Sequence, residues 1–339
     1  CDGSWRRPSC NSTCTDRRAA SKESSRGDFE NGVKPMLKLK TMKRNIYIRL
    51  LTILLALISG VKAYAQQDLM VSQQIFSRMN INPAGTGNIE RFDAFLLGRL
   101  QWAGVDNTPR TGLLNFAYYN EPLRSSIGLT ANYDNQGIGN SQTNVQAVYA
   151  YHLDLNEKYI LSMGLSAGIN IGSFDPYANT IRDEEPDFSS YVKDKTTETK
   201  PDFNIGFELT SKSWMVGVSA THLLKSEPTT FMRGRHIYAY ARCLVPLGEV
   251  LDLAPMVSYI HQNQVNEGEI GAMLFIKKMF WGGATWKPDF GNFGDMSLLA
   301  IDLGVEVKNF RVGYAYTFNV GEYNNLPSNT HELLLSVHF

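Results

Sequence analysis

Hydrophobic and polar residues alternate along this chain with a period of two, in segment after segment. In 159–172, YILSMGLSAGINIG, the residues Tyr159, Leu161, Met163, Leu165, Ala167, Ile169 and Ile171 fall on one face, and Ser162, Gly164, Ser166, Gly168 and Asn170 fall on the other. In 310–318, FRVGYAYTF, Phe310, Val312, Tyr314, Tyr316 and Phe318 oppose Arg311, Gly313, Ala315 and Thr317. Segment 144–153 repeats the pattern, with Val145, Ala147, Tyr149, Tyr151 and Leu153 against Gln146, Ala150 and His152. Successive side chains of a strand point to opposite faces, so this period marks strands with two different surroundings. Those surroundings are core and water, or lipid and a polar interior.

Followed from end to end, the pattern predicts fourteen strands: 92–104, 109–120, 124–134, 141–153, 157–172, 202–210, 213–222, 235–245, 250–261, 267–276, 279–287, 295–306, 309–318 and 330–339. Their connections alternate in length. Those around 135–140, 173–201, 223–234, 288–294 and 319–329 are long, whereas Glu121-Pro122-Leu123, Leu155-Asn156, Ser211-Lys212, Pro246-Leu247-Gly248-Glu249, Lys277-Lys278 and Lys308 are tight. An even strand count with tight turns on one rim and long loops on the other predicts an all-β, up-and-down antiparallel transmembrane barrel with both termini periplasmic. A soluble β-sandwich also alternates, but its outer face carries long charged side chains. Here the less apolar face is rich in Gly, Ser, Ala and Asn. Aromatics recur near strand ends, as interface girdles do: Trp102, Tyr118, Tyr119, Tyr133, Trp214, Trp286 and Tyr314.

Closure supplies the physical reason for the last strand, HELLLSVHF. Each unpaired backbone amide or carbonyl in hydrocarbon costs several kcal/mol, so a spanning sheet has no free edge and its last strand pairs with its first. Leu333, Leu335, Val337 and Phe339 lie on one face, expected to meet outer-membrane lipid; Glu332, Ser336 and His338 lie on the other. The terminal aromatic resembles the signal by which outer-membrane barrels are handed to their insertion machinery, an expected partner.

The front of the chain fixes the compartment. From Met42, the sequence MKRNIYIRLLTILLALISGVKAYAQQ has a basic leader (Lys43, Arg44, Arg49), an apolar run from Leu50 to Val61 and the small-x-small site Ala63-Tyr64-Ala65. These are the three parts of a secretory signal, and the apolar run is short of the roughly 20 residues a spanning helix needs. The expected organisation is a signal peptide at 42–65 cut before Gln66, a periplasmic N-terminal segment at 66–91, and the barrel at 92–339. Residues 1–41, polar, Arg/Ser-rich and upstream of the signal, are read as an over-extended start without structure. Cys1, Cys10 and Cys14 fall there, so the mature chain keeps only Cys243 and forms no internal disulfide.

Lys and Arg number 33, as do Asp and Glu, which excludes nucleic acid as an electrostatic partner. Catalytic and metal signatures are weak. His331, Glu332 and His338 superficially suggest zinc, but an HExxH site needs histidines four apart on a helix, and these are seven apart on a strand. The acidic run Asp183-Glu184-Glu185-Pro186-Asp187 reads as a solvated loop ahead of a calcium cage. GIGNSQ at 137–142 reads as a hairpin loop. No cofactor and no enzymatic activity are expected.

Three stretches carry a family resemblance: QQDLMVSQQIFSRMNINPAGTG, RLQWAGVDNTPRTGLLNFAYYN and SIGLTANYDNQGIGNSQTNVQAVYAYHLDL. They resemble the PorP/SprF family, outer-membrane proteins of Bacteroidetes associated with type IX secretion and gliding. The resemblance covers 67–339. Its most specific pieces are Asn82-Pro83-Ala84 followed by Gly85 or Gly87, the Gln101-Trp102-x-Gly104 element, Pro109 with Thr111, and the closing His331-Glu332 strand. It implies a non-enzymatic component of the secretion and gliding machinery that supports export or surface attachment of large adhesins. The implied partners are periplasmic ring lipoproteins, peptidoglycan-binding components and the adhesin cargo. A general porin-like channel for small solutes stands as the alternative.

With the apolar face on lipid, Arg99, Gln101, Asp252, Asp302, Glu306 and Arg311 point into the lumen. They form a polar plug across it, or line a water-filled pore. The loops 173–201 and 223–234, with Tyr177, Phe188, Tyr191 and Phe231, are a further expected docking surface for cargo. Edman sequencing of the protein purified from outer membrane should begin at Gln66; a start upstream of Met42 would contradict the processing scheme.

Overall fold

The computed structural model describes residues 71–87, 91–137, 139–175, 195–224, 234–262, 265–288, 297–321 and 329–339. The first seven strands are β1 Phe92–Leu100, β2 Arg110–Asn120, β3 Ser125–Asn135, β4 Asn140–Asn156, β5 Tyr159–Phe174, β6 Thr196–Ser211 and β7 Trp214–Thr221. Next comes β8 His236–Cys243, which resumes after Leu244 for Val245–Pro246. The last six are β9 Leu251–Gln262, β10 Val265–Ile276, β11 Phe280–Lys287, β12 Leu298–Val307, β13 Phe310–Asn319 and β14 Thr330–His338.

Consecutive strands pair antiparallel throughout, and β14 returns to β1 from Asp93↔His338 to Leu100↔His331. The sheet is therefore a closed ring of 14 strands. At the seam, the Phe92 amide donates to the Phe339 carbonyl at 3.1 Å and the Phe339 amide to Phe92 at 2.9 Å. No edge is left to be satisfied by lipid.

The ring is inside-out relative to a soluble protein. Ile127 is 61% exposed and Leu303 60%, together with Leu96, Leu129, Leu165, Ile169, Val218, Ile270, Leu333 and Leu335 on the outer face. Gln142, Asn144, Gln146, Ser162, Ser166, Asn170, Asp202, Asn204 and Glu208 are buried on the inner face. Apolar residues shown outward and amides hidden inward are stable only where the outside is hydrocarbon. The protein is an outer-membrane barrel.

Each of the fourteen predicted strands has its observed counterpart, and the differences have causes. β1 ends at Leu100, because Trp102 and Gly104 adopt positive φ of 53° and 98° in a turn. β6 begins at Thr196 rather than 202: TTETKP has no apolar alternation, yet it pairs in register from Thr196↔Phe174 to Pro201↔Ile169. Its ladder is imposed by β5, beyond the reach of the periodicity signal. Tyr118 and Tyr133 are exposed as girdle residues should be, but Tyr119 is a correction. Its register opposite the buried Ser126 turns it inward, where its ring meets His152 edge-on at 5.3 Å.

The segment read from sequence as a periplasmic N-terminal segment, 66–91, is described over 71–87 and at 91. Residues 71–87 lie inside the ring. Val71, Ser72, Gln73, Ile75, Ser77, Arg78, Met79, Ile81, Asn82, Ala84 and Thr86 are all buried. The wall is cut to receive them: a Cβ at Gly164 would sit 2.2 Å from the Ala84 nitrogen, and one at Gly206 1.9 Å from Asn82 Oδ1. Overpacking of this kind costs typically about 1–3 kcal/mol. Gly206→Leu should therefore lower the temperature at which the barrel loses its compact mobility on gels. Gly98→Ala, which faces open space, should leave it unchanged.

Candidate functional site

The plug is built from local turns that satisfy their own backbone. The amides of Phe76 and Ser77 donate to Gln73 and Gln74 at 3.2 Å each, and those of Ile81 and Asn82 to the Arg78 carbonyl at 3.0 and 2.8 Å. Asn82-Pro83-Ala84-Gly85 then forms a single 3₁₀ turn over Pro83–Gly85. Asn82 caps it by accepting the Ala84 amide at 2.9 Å, and Pro83 sits at the first helical position, where its fixed φ suits and its missing N–H costs nothing.

Wall side chains meet several further groups of the plug. The Ser72 amide donates to both oxygens of Glu332, at 3.1 and 2.8 Å. Ser219 Oγ donates to the Ile81 carbonyl, Arg242 to the Ile75 carbonyl at 3.0 Å, and Asn82 Nδ2 to the Phe207 carbonyl at 3.2 Å. Buried backbone groups are nearly always paired, and here the pairing fixes the plug in one pose.

Val71, Ile75, Met79 and Ile81 enter four different clusters, and Phe76 packs against the first two. Val71 packs with Phe95, Leu97, Leu113 and Leu334. Ile75 meets Ala254, Met273 and Trp281, Met79 meets Ala117 and Val148, and Ile81 meets Tyr238 and Ile260. Phe76 meets Trp281 at 4.8 Å with the rings tilted by 53°, and the Arg311 guanidinium lies 4.6 Å from its ring centre.

At the centre, Arg78 pairs bidentately with Glu208, Nε to Oε2 at 3.0 Å and a terminal nitrogen to Oε1 at 3.2 Å. The Tyr240 hydroxyl donates to the same Oε2, and Asn82 Nδ2 to the Tyr240 oxygen at 3.0 Å. The Glu208 carboxylate balances the buried Arg78 charge. Further along β6, Asp202 accepts from Asn144 at 2.7 Å and Gln146 at 2.6 Å and lies 2.8 Å from His222.

Between the plug and the rim of tight turns lies a cavity of about 480 Å³. Phe76, Arg78 and Met79 of the plug line it with Asp93, Arg242, Asp252, Phe275, Glu306 and Arg311 of the wall; Leu244 and Lys278 bring it to the rim. Of the charges assigned to the lumen from sequence, Asp252, Glu306 and Arg311 are gathered here, with Arg311 bonded to Glu306 at 2.7 Å. Arg99 lies higher, 3.4 Å from Glu332. Asp302 is fully buried on β12. These charges share the lumen with residues 71–87 of the N-terminal segment.

The other singled-out residues are dispersed. Asn82, Pro83 and Ala84 are in the plug. Trp102 and Gly104 are in the turn after β1, and Pro109 precedes β2, its carbonyl accepting the Gln101 amide at 3.0 Å. Leu333 and Leu335 face outward and Phe339 ends the seam. His331 bonds Tyr314 at 2.6 Å while Glu332 and His338 are buried. Among the described residues, no group of three or more His, Cys, Asp or Glu is placed to hold a metal. Ala63, Ala65 and Gln66, the acidic run at 183–187 and the loop aromatics Tyr177, Phe188, Tyr191 and Phe231 lie outside the described residues. Glu208, Tyr240 and Arg242 escaped the sequence reading. The available signal was parity: Glu208 shares the inward phase of Asp202, Asn204 and Gly206, against outward Phe203 and Phe207.

Several solved barrels are similar in outline. Omp33 of Acinetobacter baumannii matches with 12% identity and a TM-score of 0.46, over 74% of this chain and 98% of its own. KdgM porin in complex with disordered oligogalacturonate matches at 9% and 0.37, over 73% and 99%. A triple mutant of the Rhodopseudomonas blastica porin matches at 9% and 0.35, over 73% and 99%. These likenesses carry no functional weight. A comparison with curated proteins returned no match. The family model for the type IX secretion system membrane protein PorP/SprF, by contrast, matches residues 63–337, nearly all of the plug and barrel together. The chain belongs to the PorP/SprF family of type IX secretion system membrane proteins.

Proposed function

We propose that this barrel is a non-catalytic scaffold of the type IX secretion and gliding machinery that supports export or surface attachment of large adhesin-type cargo. Its rim of tight turns faces the periplasm, toward ring lipoproteins and peptidoglycan-binding components, and its long-loop rim faces outward. The observation that carries this reading is the lumen occupied by residues 71–87 and fastened through Arg78 and Glu208. A porin needs a standing aqueous path; a ring filled by its own chain is suited to holding partners at its two rims. Family membership supports association with secretion components.

In planar bilayers the wild-type barrel should be silent, and steady large openings would favour the porin reading. Glu208→Gln leaves Arg78 and Arg242 without their carboxylate. Breaking a buried pair costs about 3–5 kcal/mol, so this variant should show a lowered unfolding midpoint and intermittent openings. Affinity purification from native outer membrane should recover ring lipoproteins or an adhesin; recovery of the barrel alone would remove the secretion role. For orientation, Lys278→Cys in a Cys243→Ser background should react with an impermeant maleimide only after the outer membrane is breached.

A further inference from the structure

The outer wall is indented on the side away from the tight turns. Gly98 of β1 and Gly112 of β2 are register partners, and a Cβ on either would meet nothing within 4 Å. They share the outward phase of Leu96 and Phe116, which are exposed. Their row continues through Leu333 to Tyr314 on one side and to Tyr133 on the other. Bulky side chains thus flank two strands of bare backbone. The groove that opens here is about 310 Å³ and is lined on its outer side by Gly98, Leu100, Arg110, Tyr314, His331 and Leu333. Thr111 and Glu332 alternate with these and turn their side chains inward, where Thr111 donates to Asp134 at 2.7 Å and Glu332 accepts the Ser72 amide at 2.8 Å.

Along the strand direction the groove changes from apolar to cationic. One row toward the tight turns, Leu335, Leu96 and Leu114 are neighbours; one row the other way, His331, Leu100 and Arg110 are neighbours. Arg110 is exposed, and among the described residues its guanidinium makes no ion pair or hydrogen bond. His331 is held in place by the bond between its Nδ1 and the Tyr314 hydroxyl at 2.6 Å. An arginine on the lipid face costs about 2–4 kcal/mol at the bilayer midplane and about 0–1 kcal/mol near the interface. Arg110 opens β2, and the exposed Trp102 follows β1, so both stand where the wall leaves the hydrocarbon. A cation at the interface, an open groove below it and leucines below that are the complement of a phosphate with an acyl chain attached. We propose that this groove seats one lipid whose headgroup ends in a free phosphate, with Arg110 on the phosphate and the upper part of an acyl chain over Gly98 and Gly112. A zwitterionic headgroup is disfavoured because it sets its own cation against Arg110. The site lies on the lipid-facing wall and is independent of what the barrel helps to export.

The test titrates the full-length barrel in dodecyl maltoside with dioleoyl phosphatidic acid, dioleoyl phosphatidylcholine or dioleoylglycerol and counts bound lipids by native mass spectrometry. Phosphatidic acid should give one saturable adduct and bind about tenfold more tightly than the other two. Arg110→Gln should erase that preference and Arg110→Lys should retain part of it. Gly98→Leu, which fills the floor from open space, should weaken phosphatidic acid with Arg110 in place. Lys278→Gln, at the opposite rim, should change nothing. Retained heat-modifiable mobility on gels shows that each variant has folded. Equal binding of the three lipids, adducts that accumulate without saturating, or a preference that survives both Arg110→Gln and Gly98→Leu would overturn the proposal. Displacement of the phosphatidic acid by an equal concentration of inorganic phosphate would overturn the lipid assignment.

Discussion

Hydrocarbon offers a peptide group nothing to bond with, and the whole architecture follows from that deficit. A sheet in such a medium must use every amide and carbonyl internally, which a ring does and an open sheet does not. The reciprocal bonds between Phe92 and Phe339 are the local expression of this requirement. Closure in turn divides the side chains by parity, so that Leu333 and Leu335 meet the outside while Glu332, Leu334 and Ser336 meet the lumen. The inverted distribution of polar and apolar residues is a consequence of closing the ring.

A ring of this size encloses space that must be wet or filled. Here its own N-terminal segment takes up part of it, beside a cavity of about 480 Å³. An inner face dense in amides and carboxylates rejects a purely apolar insert, because each buried polar group left unpaired costs about 1–3 kcal/mol. The segment 71–87 answers with polar and apolar residues in the same few turns. Ser72, Arg78 and Asn82 meet Glu332, Glu208 and Tyr240, while Val71, Ile75, Met79 and Ile81 enter four separate apolar clusters. Gly164 and Gly206 yield the volume that the capped turn requires. Wall and plug are two sides of one core.

This arrangement bears on what a PorP/SprF barrel does. With residues 71–87 inside the ring, the barrel presents two rims that differ in the length of their connections. The tight-turn rim opens on a cavity lined by Arg78, Arg242 and Arg311, with Leu244 and Lys278 toward its mouth.

The sequence by itself determined the strands, their number, their faces and the family, because a surface between lipid and lumen writes a two-residue period into every segment that crosses it. It failed where that cause is absent. Thr196–Pro201 is strand only because β5 extends beside it, and Tyr119 follows the register of β2 rather than the aromatic rule for strand ends. Tertiary structure alone decided the place of residues 71–87. A plug has no period of its own; its partners Glu208, Ser219, Tyr240 and Glu332 come from strands scattered along the chain, and only ring closure brings them to one point. Periodicity reports the medium around a segment, whereas a contact between distant segments exists only once the chain has closed.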